Sequence, residues 1–208
     1  MPLNLTVSAN VVDLRNDTPK PTDKFFVDTN VWYWLTYSRS KQSSNFPKPY
    51  QTNDYPKYIQ QTLKAQSKLY KSGLSFPEIA HLIERNERDI FNNANSSDIK
   101  PKEFRHNYPN ERTNVVQEIQ TSWQQIEQFG NTIDVLVNDA ILTKADTRLA
   151  QDKLDGYDLL MIESILTNGI NFVITDDSDF GTISGITVFT ANWSLINAAQ
   201  AQNKLVVR

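Results

Sequence analysis

Two short apolar runs in this sequence end in carboxylates, and they define the chemistry it could perform. Phe25-Phe26-Val27 stops at Asp28-Thr29-Asn30, and Phe172-Val173-Ile174-Thr175 stops at Asp176-Asp177-Ser178-Asp179. Glu78 and Asp158 each stand at the start of a segment with helical spacing. The chain has no cysteine, which removes disulfides, thiolate metal sites, iron-sulfur clusters and a cysteine nucleophile together. His81 and His106 are its two histidines, so any catalysis must rest mainly on oxygen ligands. Gathered in one place, such carboxylates would hold a hard divalent cation. Taken singly, each has an ordinary use. Aspartate after a strand makes turns and caps, Glu78 completes a capping box with Ser75, and Asp158 suits the positive end of a helix, as does Asp155 three residues earlier.

The flanking pattern says how these residues are positioned. Phe25 to Val27 reads as a buried strand, followed by a helix whose Val31, Trp32, Trp34 and Leu35 recur at helical spacing. Trp32 and Trp34 then belong to the core, with base stacking as the competing use of these rings. Tyr58, Ile59, Leu63, Gln66 and Tyr70 extend a helical pattern to Gly73, and Ser75-Phe76-Pro77-Glu78 opens the next helix. A long helix runs from Asn110 to Gly130, a strand is expected over Ile133 to Val137, and helices over Asp139 to Ala150 and Tyr157 to Asn168. Asn171 to Thr175 and Ile186 to Phe189 are further strands, and Asn192 caps a last helix. Short apolar strands alternating with helices predict an α/β fold with a mostly parallel central sheet. In a parallel sheet the two acidic strand ends share one rim, so Asp28 and Asp177 become neighbours despite about 150 intervening residues.

The chain has 208 residues, 39% apolar and 22% charged, which suits one enlarged domain. Residues 1–23 read as a polar leader with one short edge strand at Leu3 to Val7, and 24–208 as a single domain. Segments 38–57 and 92–130 are polar stretches set into it. No signal peptide or membrane span is legible, so a cytoplasmic protein is expected. Net charge is −3, unevenly spread: Ser38 to Val115 carries 13 Lys and Arg against 8 Asp and Glu, and the remainder 8 against 16. That is either a basic arm beside an acidic centre or scattered solvated charge.

In order and spacing, four blocks of this chain resemble the PIN-domain nucleases. They are Phe25-Phe26-Val27-Asp28-Thr29-Asn30, Leu74-Ser75-Phe76-Pro77-Glu78-Ile79, Asp158 with Gly169 eleven residues later, and Phe172-Val173-Ile174-Thr175-Asp176-Asp177-Ser178-Asp179-Phe180. The likeness covers about 24–37, 73–90 and 133–192, and the segments between look like additions to the family pattern. It implies a three-layer α/β/α sandwich with helical insertions. It further implies that Asp28, Glu78, Asp158 and Asp177 are the catalytic acids, with Asp28, Asp158, Asp177 and the accessory Asp179 as metal ligands. Asn30 and Thr175 would be supporting polar groups, and Asp176, at the variable position of Thr-x-Asp, would assist or be solvated. Endonucleolytic cleavage of RNA, leaving 5′-phosphate and 3′-hydroxyl ends, is the implied activity. The toxin half of a bacterial toxin-antitoxin pair is a familiar role in that family, which would bring a cognate antitoxin as partner and a homodimer as the assembly.

Electrostatics asks for a cation independently. Carboxylates about 5 Å apart repel by roughly 3 kcal/mol per pair at an effective dielectric of 20, and protons or cations must relieve that. Oxygen-only donors favour Mg²⁺ or Mn²⁺ over zinc. Lys41, Lys48, Lys68, Lys71, Arg85 and Arg88 are candidates for contacts to a phosphate backbone, and His81, one turn after Glu78, for a metal neighbour or phosphate contact. Two other readings compete. A haloacid-dehalogenase-type phosphatase also begins at a strand-end aspartate, but it wants a second aspartate two residues on, where Asn30 stands. An inactive fold kept as an RNA-binding or scaffold module would be expected to have lost acids that are all present here.

Overall fold

The computed structural model describes residues 4–42, 47–133, 137–154 and 156–208. Its strands are β1 (Asn10–Asp13), β2 (Lys24–Val27), β3 (Lys68–Ser72), β4 (Asn131–Ile133), β5 (Phe172–Ile174) and β6 (Thr187–Thr190). Its helices are α1 (Thr29–Thr36), α2 (Pro49–Lys64), α3 (Ser75–Asn95), α4 (Pro101–Asn107), α5 (Pro109–Phe129), α6 (Asp139–Gln151), α7 (Asp158–Thr167) and α8 (Trp193–Ala201), with a 3-10 turn at Asp179–Thr182.

The strands form one parallel sheet in the order β1-β6-β5-β2-β3-β4. Strands covered on both faces bury every side chain, which is why β2 reads as an unbroken apolar run. Successive residues point to opposite faces. Phe25, Val27, Ile174 and Phe189 therefore pack under α1 to α5, while Phe26, Val173 and Val188 pack against α7 and α8. The result is a three-layer α/β/α sandwich. Phe25 anchors the first layer, edge-on to Phe189 with centroids 5.0 Å apart, and burial of a ring this size contributes about 1.5–3 kcal/mol.

Several elements differ from the sequence expectation. Residues 10–13, read within the leader, form the edge strand β1, and Val7, Ala9, Val11, Val12 and Leu14 are buried. Of the strand expected over 133–137, Ile133 closes β4, and 134–136 lie outside the described residues, as do Leu3 and Asp155. The helical pattern read through Tyr70 stops at Lys64. Gln66 takes a left-handed φ of 61°, Ser67 N–H closes on the Thr62 carbonyl, and the chain turns into β3. Segment 38–57 contributes the start of α2, and 92–130 contributes the end of α3 together with α4 and α5.

Strand order also fixes where a site can form. From β2 the chain proceeds outward through β3 and β4, whereas β5 leads to β6 on the other side. The connections diverge between the carboxyl ends of β2 and β5, the place where parallel α/β sheets open a crevice. At the opposite rim the Arg208 guanidinium pairs with Asp17 at 2.9 Å and Asp23 at 2.8 Å, 4.6 Å from the Phe189 ring. Burial opposes ionisation of Asp23, but the hydrogen bonds from Arg208 and from the Lys20 backbone outweigh it and hold that carboxyl below its usual range. Among the described residues no helix is long and apolar enough to cross a membrane.

Candidate functional site

The crevice between β2 and β5 is a cleft of about 570 Å³, and Asp28, Glu78, Asp158 and Asp177 all line it. Asp28 prolongs β2: its N–H donates to the Ile174 carbonyl at 3.0 Å, and its own carbonyl then accepts from Val31 and Trp32 to start α1. It thus occupies the cap position, yet its side chain does not cap. Instead Asp28 Oδ2 accepts a 2.7 Å hydrogen bond from Thr175 Oγ1. Burial raises the Asp28 carboxyl to about 7, and the nearby charges of Asp177 and Glu78 add to this against the opposing Thr175 bond.

Thr175 explains the Thr-x-Asp pattern physically. Fully buried at the end of β5, its hydroxyl donates to Asp28 and accepts the Asp177 N–H at 2.9 Å. One hydroxyl therefore ties the two strand-end acids together. Asp177 Oδ1 in turn accepts the Asp179 N–H at 2.8 Å, opening the 3-10 turn. Asp158 is the first residue of α7 and reaches the cleft from the layer on the other face of the sheet.

Glu78 arrives from α3, but not through a capping box. Leu74 is already helical in φ and ψ and occupies the cap position, so Glu78 falls one residue later in the first turn than a capping box requires. The Ser75 hydroxyl is left buried without a hydrogen-bond partner among the described residues. Glu78 Oε2 instead accepts a 2.5 Å hydrogen bond from Thr29 Oγ1. Burial raises the Glu78 carboxyl above its usual range, and the Thr29 bond works against that. Thr29 carries no role in the sequence pattern; its one signal there is its place directly after a strand-end acid.

The other expected residues are distributed differently. Asn30 and His81 are exposed on the cleft wall, and Tyr157 stands beside Asp158 in the same lining. Asp176 points away, accepting from the Tyr50 hydroxyl at 3.1 Å, Gln51 Nε2 at 2.5 Å and the Tyr55 hydroxyl at 2.7 Å, so it docks α2 on the end of β5. Adjacent residues leaving a strand diverge, and only Asp177 of this pair turns to the cleft. Asp179, expected among the metal ligands, lines a different cavity with Lys153 and Thr182. Two of the basic candidates are misplaced for a substrate. Lys71 is buried and donates to the Gly130 carbonyl, and Lys68 begins β3 at the rim opposite the cleft.

The donor set is entirely oxygen apart from His81, and no Lys or Arg lines the cleft among the described residues. That composition fits a hard cation. Among the described residues no three acidic or imidazole groups stand close enough to form a ready-made cage. Repulsion between these acids acts on Asp28, where the charges of Asp177 and Glu78 oppose its ionisation. Mg²⁺ suits such spacing, because it is held through one or two carboxylates and keeps several of its waters.

Fold and cleft together define a parallel α/β protein with an acidic crevice at the sheet's switch point. No family model matches the chain, and no curated protein matches it.

Proposed function

We propose that this protein is a Mg²⁺- or Mn²⁺-dependent endoribonuclease. The observation that carries the reading is the convergence of four carboxylates, from β2, α3, α7 and β5, on one cleft. The resemblance of the same residues to the PIN-domain pattern supports it.

In this reading Asp28 and Asp177 would hold the ion, with Asp158 acting on it through the waters it keeps. Bound there, a hard dication stabilises charge on the phosphodiester oxygens and lowers the pKa of water at the site. The residues supply position and proton handling. Thr175 fixes Asp28 and aligns the loop carrying Asp177. Asp28, whose carboxyl burial raises to about 7, would bind the ion as the carboxylate. Glu78, steadied by Thr29, offers a carboxylate of raised basicity that orients the attacking water and takes its proton. Tyr157 and Pro77 form part of the wall around the reacting phosphate.

Incubation of the purified chain with a mixed RNA panel in Mg²⁺, in Mn²⁺ and in chelator tests the reading. Cleavage with either ion and none in chelator is the expected result; no cleavage under any condition would reject hydrolysis. A cytoplasmic toxin role with a cognate antitoxin and a homodimeric assembly extends the proposal. It is checked by co-purification with the product of the adjacent reading frame and by solution mass.

A further inference from the structure

A second cleft of about 360 Å³ adjoins the acidic one and shares Asn30 and Leu82 with it. Its wall differs in chemistry. Lys48 and Arg85 are exposed on it, and among the described residues neither makes an ion pair. Half-buried Trp34 lines it too, held by packing on Tyr55 at a centroid distance of 5.4 Å. Asp89 is also in the wall, engaged by Arg88 at 3.2 Å.

The wall is anchored to the acidic site. Gln51 accepts from the Lys48 N–H at 2.7 Å and donates to Asp176 at 2.5 Å, and Asp176 immediately precedes Asp177. The start of α2, with Lys48, is thereby fixed relative to the carboxylates.

We propose that this second cleft binds the nucleotide next to the scissile phosphate in single-stranded RNA, with Lys48 and Arg85 on its phosphate and Trp34 against its base. The assignment rests on the nuclease reading for what occupies the neighbouring cleft. Exposed cations that form no ion pair among the described residues are the complement of a phosphate. An aromatic ring fixed on one side offers a stacking surface to an unpaired base, which a base already stacked within a duplex does not use. Segment 38–57, through Pro47, Lys48 and Gln51, then acts as a substrate selector.

The test is fluorescence anisotropy with a short labelled single-stranded RNA and with the same sequence in duplex form. Both are measured in chelator so that cleavage plays no part. The wild-type chain is expected to bind the single strand more tightly. A Lys48→Ala/Arg85→Ala protein, altered only at exposed positions, should bind it more weakly, with the slope of log affinity against log salt reduced by about 0.7, the loss of one neutralised phosphate. Trp34→Leu should weaken binding about fivefold or more with the slope unchanged. Equal binding of the duplex, or unchanged affinity and slope in the double variant, would overturn the assignment even if Trp34→Leu fails to fold. Failure of the wild-type chain to cleave RNA with Mn²⁺, alongside cleft-dependent binding, would count against hydrolysis and for the cleft.

Discussion

Thr175 Oγ1 lies 2.7 Å from Asp28 Oδ2 and 2.9 Å from the Asp177 N–H, so a single buried hydroxyl joins residues that are 149 positions apart. Asp28 is consequently positioned by the end of the neighbouring strand β5, and Asp177 by the same hydroxyl two residues before it. Replacing Thr175 with valine keeps the volume and removes both bonds. Loss of support to a ligand of this kind typically costs 10- to 100-fold in activity or metal affinity. The same loss is expected for Thr175→Val in Mn²⁺ titration and in RNA cleavage, with about 1–3 kcal/mol of stability from the unpaired Asp177 amide.

Asp28 makes the metal-free protein sensitive to pH in a defined direction. Its carboxyl titrates at about 7 when folded against 3.8 for an ordinary aspartate. Between those values the unfolded chain releases a proton that the folded chain keeps, so stability falls as pH rises through this window, by on the order of a few kcal/mol. Asp28→Asn should flatten the decline and stabilise the chelator-treated protein near neutrality. Denaturant melts across that range check this; identical slopes in the two proteins would contradict it.

Glu78 carries the corresponding dependence in turnover. Removing the Thr29 hydroxyl with Thr29→Val withdraws the one bond that lowers the Glu78 pKa. The acidic limb of the pH profile for RNA cleavage is then expected to move to higher pH, while Glu78→Gln should abolish cleavage without unfolding the chain. A profile unmoved by Thr29→Val would remove Glu78 from proton transfer.

Much of this arrangement was legible because parallel strands write their burial directly into the sequence. Phe25 to Val27 and Phe172 to Ile174 could be read as buried strands, and their shared rim followed from parallel topology alone. Lys68–Ser72 could not, since its Tyr70 fits the preceding helical spacing and its Lys71 is a buried cation, which no periodicity announces. Nor could spacing separate Asp177 from Asp176 and Asp179. The direction in which each side chain leaves the strand end depends on Tyr55, Gln51 and Tyr50, residues of α2 that precede the helical pattern legible from Tyr58. Glu78 was the subtler case. A capping box and a cleft acid share the same Ser-x-x-Glu spelling, and only the helical conformation of Leu74 distinguishes them.

The far rim supplies a control for these experiments. Arg208 neutralises Asp17, whose side chain is fully buried, and Asp23, which is nearly so. Arg208→Ala strands both charges, and breaking a buried pair in this way costs about 3–5 kcal/mol. A large fall in melting temperature is expected, with cleavage per folded molecule unchanged because the cleft lies at the other end of the strands.

The central claim is that the four converging acids form a cation-dependent hydrolytic centre. The most direct measurement is RNA cleavage in Mn²⁺ by the wild-type chain and by a folded Asp28→Asn protein, each repeated with chelator. Cleavage confined to the wild-type protein with the ion is the expected outcome. Equal cleavage by Asp28→Asn, or cleavage that persists in chelator, would contradict it.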